Sequence, residues 1–166
     1  MIVDMPIHDE IYPKDPVTLL APEESWQLLG SQQLGRLVVS LSGRIDIFPV
    51  NFVTHDAKVY FRTAEGTKLV ELTIHDEVVF EVDQVGAVSA WSVVLHGTAR
   101  HLTNRSDIAA ADELPLRSWI PTLKYNYVEI TPTEISGRRL RLGEEPERFT
   151  PADHDTDASA GQAPSG

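Results

Sequence analysis

The sequence predicts a mainly β domain, a six-stranded antiparallel β-barrel carrying a few short helices. Three observations predict it. Six β-branched or apolar segments follow one another between residues 35 and 130, most of them joined by short polar links. Only three segments, all short, have helical character. No helix follows strand after strand, as a parallel βαβ sheet would require.

Residues 1–16 mix prolines and acids without periodicity and read as an extended N-terminal arm. Residues 17–143 read as the barrel domain. In it, Pro22 to Leu29 begins a helix, since a proline and Glu23-Glu24 suit a first helical turn, and Gly30 weakens or stops it. Gly35 to Leu41 is the first strand, Ser42-Gly43 a turn, and Arg44 to Thr54 the second strand. His55-Asp56 is a further turn. Ala57 to Thr63 then alternates, with Val59, Phe61 and Thr63 on one face and Lys58, Tyr60 and Arg62 on the other. Gly66 to His75 is a helix and Val78 to Val82 the fourth strand. Ala90 to Leu102 is a long fifth strand in which Gly97 marks a bulge or bend. Ser106 to Glu113 is helical. Pro115 and Pro121 bracket a turn-rich piece holding Trp119. Tyr125 to Ile130 is the sixth strand, ended by Thr131-Pro132, and Glu134 to Leu142 extends it or returns. Residues 144–166 are an acidic tail too poor in apolar groups to fold, and are expected to be disordered.

The net charge of -11 belongs to the ends. Residues 1–30 carry six acids and one base, residues 144–166 six acids and one base, and residues 31–143 thirteen acids and twelve bases. A near-neutral core offers no electrostatic footprint for nucleic acid. With no cysteine, disulfides, thiolate catalysis and cysteine metal sites are excluded. Met1 to Pro6 lacks the basic and apolar regions of a secretory signal, and no stretch approaches a membrane span, so the chain reads as cytoplasmic. His8, His55, His75, His96, His101 and His154 form no HExxH pair, and no metal site is expected. There is no nucleophile elbow, long phosphate loop or dinucleotide fingerprint. No catalytic side chain is assigned.

Three stretches carry possible chemistry. In Val59 to Leu69 a strand ends in a short loop and a helix begins at Gly66. Amides at a helix start favour an anion, Thr67 adds a hydroxyl and Lys68 a charge, and Arg62 and Thr63 sit where the strand stops. The stretch reads as a phosphate cradle or as solvated charge beside a helix cap. Phe48-Pro49-Val50-Asn51-Phe52 places a proline within a strand, which implies an edge, bulge or strand end; a bulge would free backbone groups for a ligand, and a plain edge-strand proline is the commoner alternative. Trp91-Ser92 sets a large ring beside a hydroxyl, for core packing or for a planar cofactor. Strand residues such as Phe48, Phe52 and Val93 suggest apolar groups on both faces of the sheet and hence a partner subunit.

These stretches, with Leu34-Gly35-Arg36-Leu37-Val38-Val39, Val79-Phe80-Glu81-Val82-Asp83 and Trp91 to Ala99, occur in the order and spacing of a known family. Over roughly residues 17–141 the chain resembles the pyridoxamine 5′-phosphate oxidase-like flavin-binding family. The resemblance implies a split β-barrel, a homodimer and FMN bound across the subunit interface. Phe48, Pro49, Val50 and Asn51 would run along the isoalloxazine edge. Phe61, Arg62 and Thr63 would contact the ring or the ribityl–phosphate side. Thr67 and Lys68 would hold the phosphate, and Trp91 and Ser92 would approach the flavin from the same or the second subunit. The segment after Leu142 is acidic and lacks the tryptophan and basic residues that bind substrate in true pyridoxamine-phosphate oxidases, so vitamin B6 oxidation is not implied. The expected function is an FMN-dependent oxidoreductase acting on an unidentified small molecule. The alternatives are a non-catalytic flavin carrier or sensor, and a deazaflavin-dependent reductase, whose acidic cofactor tail wants a more basic groove.

Overall fold

The computed structural model describes residues 15–41, 43–64, 77–117, 119 and 126–145. Along the chain lie β1 (Val17–Leu20), α1 (Pro22–Gly30), β2 (Leu34–Leu41), β3 (Arg44–His55), β4 (Lys58–Thr63), β5 (Glu77–Val85), β6 (Ser89–His101), α2 (Arg105–Asp112) and β7 (Asn126–Arg141). The expected helix Gly66–His75, arm residues 1–14 and tail residues 146–166 lie outside the described residues. None of the described helices is long and apolar enough to cross a membrane.

All strand pairs are antiparallel, and the order β7-β4-β3-β2-β5-β6 is closed by a β6–β7 pairing. The six expected strands thus form a barrel, and β1 adds a seventh by pairing with the end of β7 (Val17↔Leu140 to Leu20↔Gly137). β1 carries no strand signal of its own beyond four residues, and among the described residues it pairs with that edge alone.

Thr131-Pro132 does not end β7, contrary to the sequence expectation. The strand runs on to Arg141, and its register with β6 shifts between His96↔Glu134 and Gly97↔Pro132. The bulge accommodates the proline that cannot donate. Thr133 is left over and donates its hydroxyl to the His96 carbonyl at 3.2 Å. Gly97 is required opposite it, because a Cβ there would lie 2.4 Å from the Thr131 carbonyl oxygen. The hairpin between β3 and β4 turns at Asp56 and Ala57, both at positive φ (47° and 53°), one residue later than the sequence suggests.

Side chains alternating inward fill the barrel: Leu37, Phe52, Val59, Phe61, Phe80, Val93, Leu95 and Ile130 are fully buried there. Phe52 and Phe80 meet edge to face with centroids 4.8 Å apart. α1, with Pro22 opening it and Glu23 and Glu24 in its first turn, adds the buried Leu29 to the same core. α2 starts one residue before its expected position because Asn104 caps it, accepting from the Ser106 amide at 2.9 Å. A second core lies outside the barrel, where Tyr60, Leu102, Ala111, Leu116 and Tyr127 pack together. Both faces of β4 are therefore buried, which its alternating pattern alone does not reveal.

Phe52 and Val93 point into the barrel and Phe48 packs half-buried against its core, so these three are not the apolar groups left for a partner. Large apolar groups that are exposed among the described residues include Ile45 and Ile47 on the outer face of β3 and Leu34 on β2.

Gly35 is where Phe80 comes closest to the backbone of β2. A Cβ at 35 would lie 2.3 Å from the tip of the ring. Gly35→Ala should lower stability by about 1–3 kcal/mol through overpacking. A urea titration measures this directly, and an unchanged midpoint would contradict the packing.

Candidate functional site at the β3–β4 face

β3 and β4 pair from His55↔Lys58 to Phe52↔Phe61. Before Phe52, β3 keeps β2 on one side (Gly35↔Val50, Arg36↔Pro49). Among the described residues no strand pairs with residues 48–51 on the other side. Pro49 thus occupies a local edge, where a missing N–H is tolerated. Alternation turns Val50 into the barrel and leaves Pro49 exposed and Asn51 partly accessible.

Asn51 ties two neighbouring segments to this edge. Its amide donates to the Gln33 carbonyl at 3.3 Å, and its oxygen accepts from the Trp119 backbone N–H at 3.3 Å. Beside it opens a cleft of about 460 Å³ between the end of α1, β3 and the segment after α2, lined among others by Gln32, Gln33, Thr54, Pro115 and Arg117. Trp119 is largely exposed.

Arg62 emerges from β4 directly across from Tyr127 on β7. Its guanidinium carbon lies 5.7 Å from the centre of that ring, and Nη2 donates to the Leu116 carbonyl at 2.7 Å. Its Nε is buried and, among the described residues, has no hydrogen-bond acceptor. Among the described residues no carboxylate pairs with it. Arg62 is therefore a partly buried cation whose Nε–H has no acceptor among the described residues.

One cross-strand step away, Glu129 is buried between Tyr60 on β4 and Arg100 on β6. It accepts from Tyr60 Oη at 2.9 Å and pairs with Arg100 at 3.0 Å and Lys58 at 3.2 Å. Burial alone would raise the Glu129 pKa, but the bonds from Arg100, Tyr60 and Lys58 outweigh it and hold the carboxyl below its usual value. Burial, then the bond to Glu129, pushes the Tyr60 phenol up to about 12. Arg100 also reaches Asp107 of α2 at 2.9 Å. The network fixes α2 against the barrel, and its charges are all engaged.

Asn51 and Arg62 are thus brought to one outer face. Val50, Phe61 and Thr63 are buried on β3 and β4, and Phe48 is half-buried. Val50 and Phe61 turn their side chains into the barrel, leaving only their backbone atoms to the outer side. Trp91 is 7% exposed and belongs to the barrel core, the packing reading of the two the sequence allows. Ser92 faces the other way, between Asp83 and Arg138. Thr67 and Lys68 lie outside the described residues. Sequence reading does not single out Tyr127 or the Leu116 carbonyl, because their contact with Arg62 arises from the β4–β7 pairing. Trp119 is visible only as an aromatic between two prolines.

A profile of the pyridoxamine 5′-phosphate oxidase family matches residues 21–139. An uncharacterized protein of Mycobacterium tuberculosis is 40% identical over 90 residues, which are 54% of this chain and 82% of that protein. Among solved structures, a candidate pyridoxamine 5′-phosphate oxidase of Corynebacterium glutamicum is 48% identical, with TM-score 0.74 over 81% of this chain and 100% of that one. A FAD-binding protein of Mycobacterium smegmatis is 42% identical, with TM-score 0.68 over 75% and 99% of the two chains.

The Glu129 network makes a pH-dependent prediction. Its carboxyl titrates lower in the folded chain than its ordinary value of 4.5. The associated stability is present above pH 4.5 and lost as pH falls through the folded value. Glu129→Gln should lower stability near neutral pH by about 2 kcal/mol. That deficit should shrink as the pH drops below 4.5. Urea midpoints across this window check it, and a deficit independent of pH would contradict the ion pairing.

Proposed function

Because the chain belongs to the pyridoxamine 5′-phosphate oxidase family, we propose that it binds a flavin nucleotide, FMN in the first instance, along the open edge of β3 with its phosphate at Arg62. The observation that carries the reading is the buried Nε of Arg62, which among the described residues has neither an acceptor nor a carboxylate partner. A phosphate oxygen supplies both the missing acceptor and the missing charge. The unpaired backbone edge at 48–51 suits a planar ring laid alongside it. Thr63, Thr67 and Lys68, next along the chain, complete the cradle in this reading. When bound, the flavin would carry hydride or electrons, and the protein would bind and orient it. The activity proposed is oxidation or reduction of a small molecule. The FAD-binding relative from Mycobacterium smegmatis favours FAD as the second cofactor to test.

The proposed assembly is a homodimer through the outer face of β3, β2 and β5. Ile47, Val38 and Val79 form one cross-strand row there, and Ile47 is 62% exposed. Burying such a row against its own symmetry mate removes it from water.

Purified protein titrated with FMN, FAD, a deazaflavin and riboflavin tests the cofactor. Lys68→Ala should weaken FMN binding about tenfold, the loss of one charge-assisted bond. Riboflavin, which lacks the phosphate, should bind as before. Equal losses for both would remove Lys68 from the site. Sedimentation should show a dimer at micromolar concentration and a monomer for Ile47→Glu. A monomeric wild-type chain would contradict the dimer.

A further inference from the structure

Arg62 is held by groups that the family resemblance does not assign. Tyr127 sits opposite it on β7, and the guanidinium carbon lies over its ring. The Tyr127 hydroxyl donates to Asp112, the last residue of α2, at 2.5 Å. Burial, then the bond to Asp112, raises the Tyr127 pKa, so the phenol stays protonated and keeps donating. Leu116, four residues beyond Asp112, supplies the carbonyl that takes Arg62 Nη2. The guanidinium thus lies over an aromatic ring, and a carbonyl takes one of its amino groups. Both are anchored at the C-terminal end of α2, and α2 is itself clamped to the barrel through Asp107 and Arg100.

We propose that Tyr127, tethered to α2 through Asp112, is a positioning residue that holds Arg62 with its Nε directed at the cofactor phosphate. The inference rests on the phosphate reading above and adds what sets its affinity. An arginine side chain is long and loses much rotamer freedom when it grips a ligand. The contact with the Tyr127 ring removes part of that freedom beforehand, which is how preorganisation raises affinity. The cation–π contact and the Leu116 bond leave Nε as a donor without an acceptor. If packing alone shaped this cluster, an unsatisfied buried donor would be a pure cost.

The experiment compares FMN and riboflavin affinities, by flavin fluorescence, for the full-length wild type, Arg62→Met, Tyr127→Phe and Tyr127→Leu. Arg62→Met should weaken FMN about tenfold or more and leave riboflavin nearly unchanged. Tyr127→Leu, which removes both ring and tether, should weaken FMN about tenfold with riboflavin within about twofold. Tyr127→Phe keeps the ring and loses only the tether, and should weaken FMN by about threefold. If Tyr127→Leu fails to fold, Tyr127→Phe decides alone. A selective Arg62→Met with Tyr127 variants that affect both flavins equally, or neither, would overturn the positioning role and leave the phosphate site standing. An unselective Arg62→Met would overturn the phosphate site and this inference with it.

Discussion

Everything on the outer face of this barrel depends on how β7 closes it. Its first half lies between β4 and β6, and its second half continues along β6 while taking up β1. Period-two alternation in the first half sends Val128 and Ile130 into the barrel and Tyr127 and Glu129 outward. One strand thus serves two cores. The outward pair meets Arg62 and Tyr60 on β4 because the register places them opposite. A slip of one residue would exchange the faces and dissolve both cores. The bulge at Gly97 and Pro132 lets so long a strand keep both partnerships.

The charges on this face are arranged unequally. Glu129 is met by Lys58, Arg100 and Tyr60, and Arg36 on β2 by Glu81 and Asp83. Arg62 is met by a carbonyl and an aromatic ring. The overall charge of -11 resides at the two ends of the chain. The barrel can therefore present a local anion site in an acidic protein. Glu129 is kept ionised by its donors and stabilises, whereas Arg62 keeps a donor in reserve.

Much of the fold is legible in the sequence because antiparallel strands announce themselves locally. Short turns and alternating apolar residues locate β2, β3, β4, β5 and β6 to within a few residues. β1 is not legible, since four residues without a turn acquire strand structure only by joining the β7 edge. Pro132 misleads because a proline reads as a stop, and only pairing with Gly97 converts it to a bulge. Asn51 and Arg62 are readable as polar residues in apolar strands. Tyr127, Leu116 and Trp119 are not, since their meaning lies in contacts across distant strands and loops. Trp91 shows the reverse: a ring suited by type to a cofactor is placed in the core by the pleat of β6. Strand pleating likewise puts Phe52 on β3 and Val93 on β6 inside and leaves Ile45 and Ile47 of β3 exposed.

The most direct measurement is a crystal structure of the full-length chain grown with FMN. A phosphate oxygen should lie about 3 Å from Arg62 Nε, with the guanidinium still over the Tyr127 ring and the flavin ring along residues 48–51. A flavin bound elsewhere, or an Arg62 Nε that still lacks an acceptor, would contradict it.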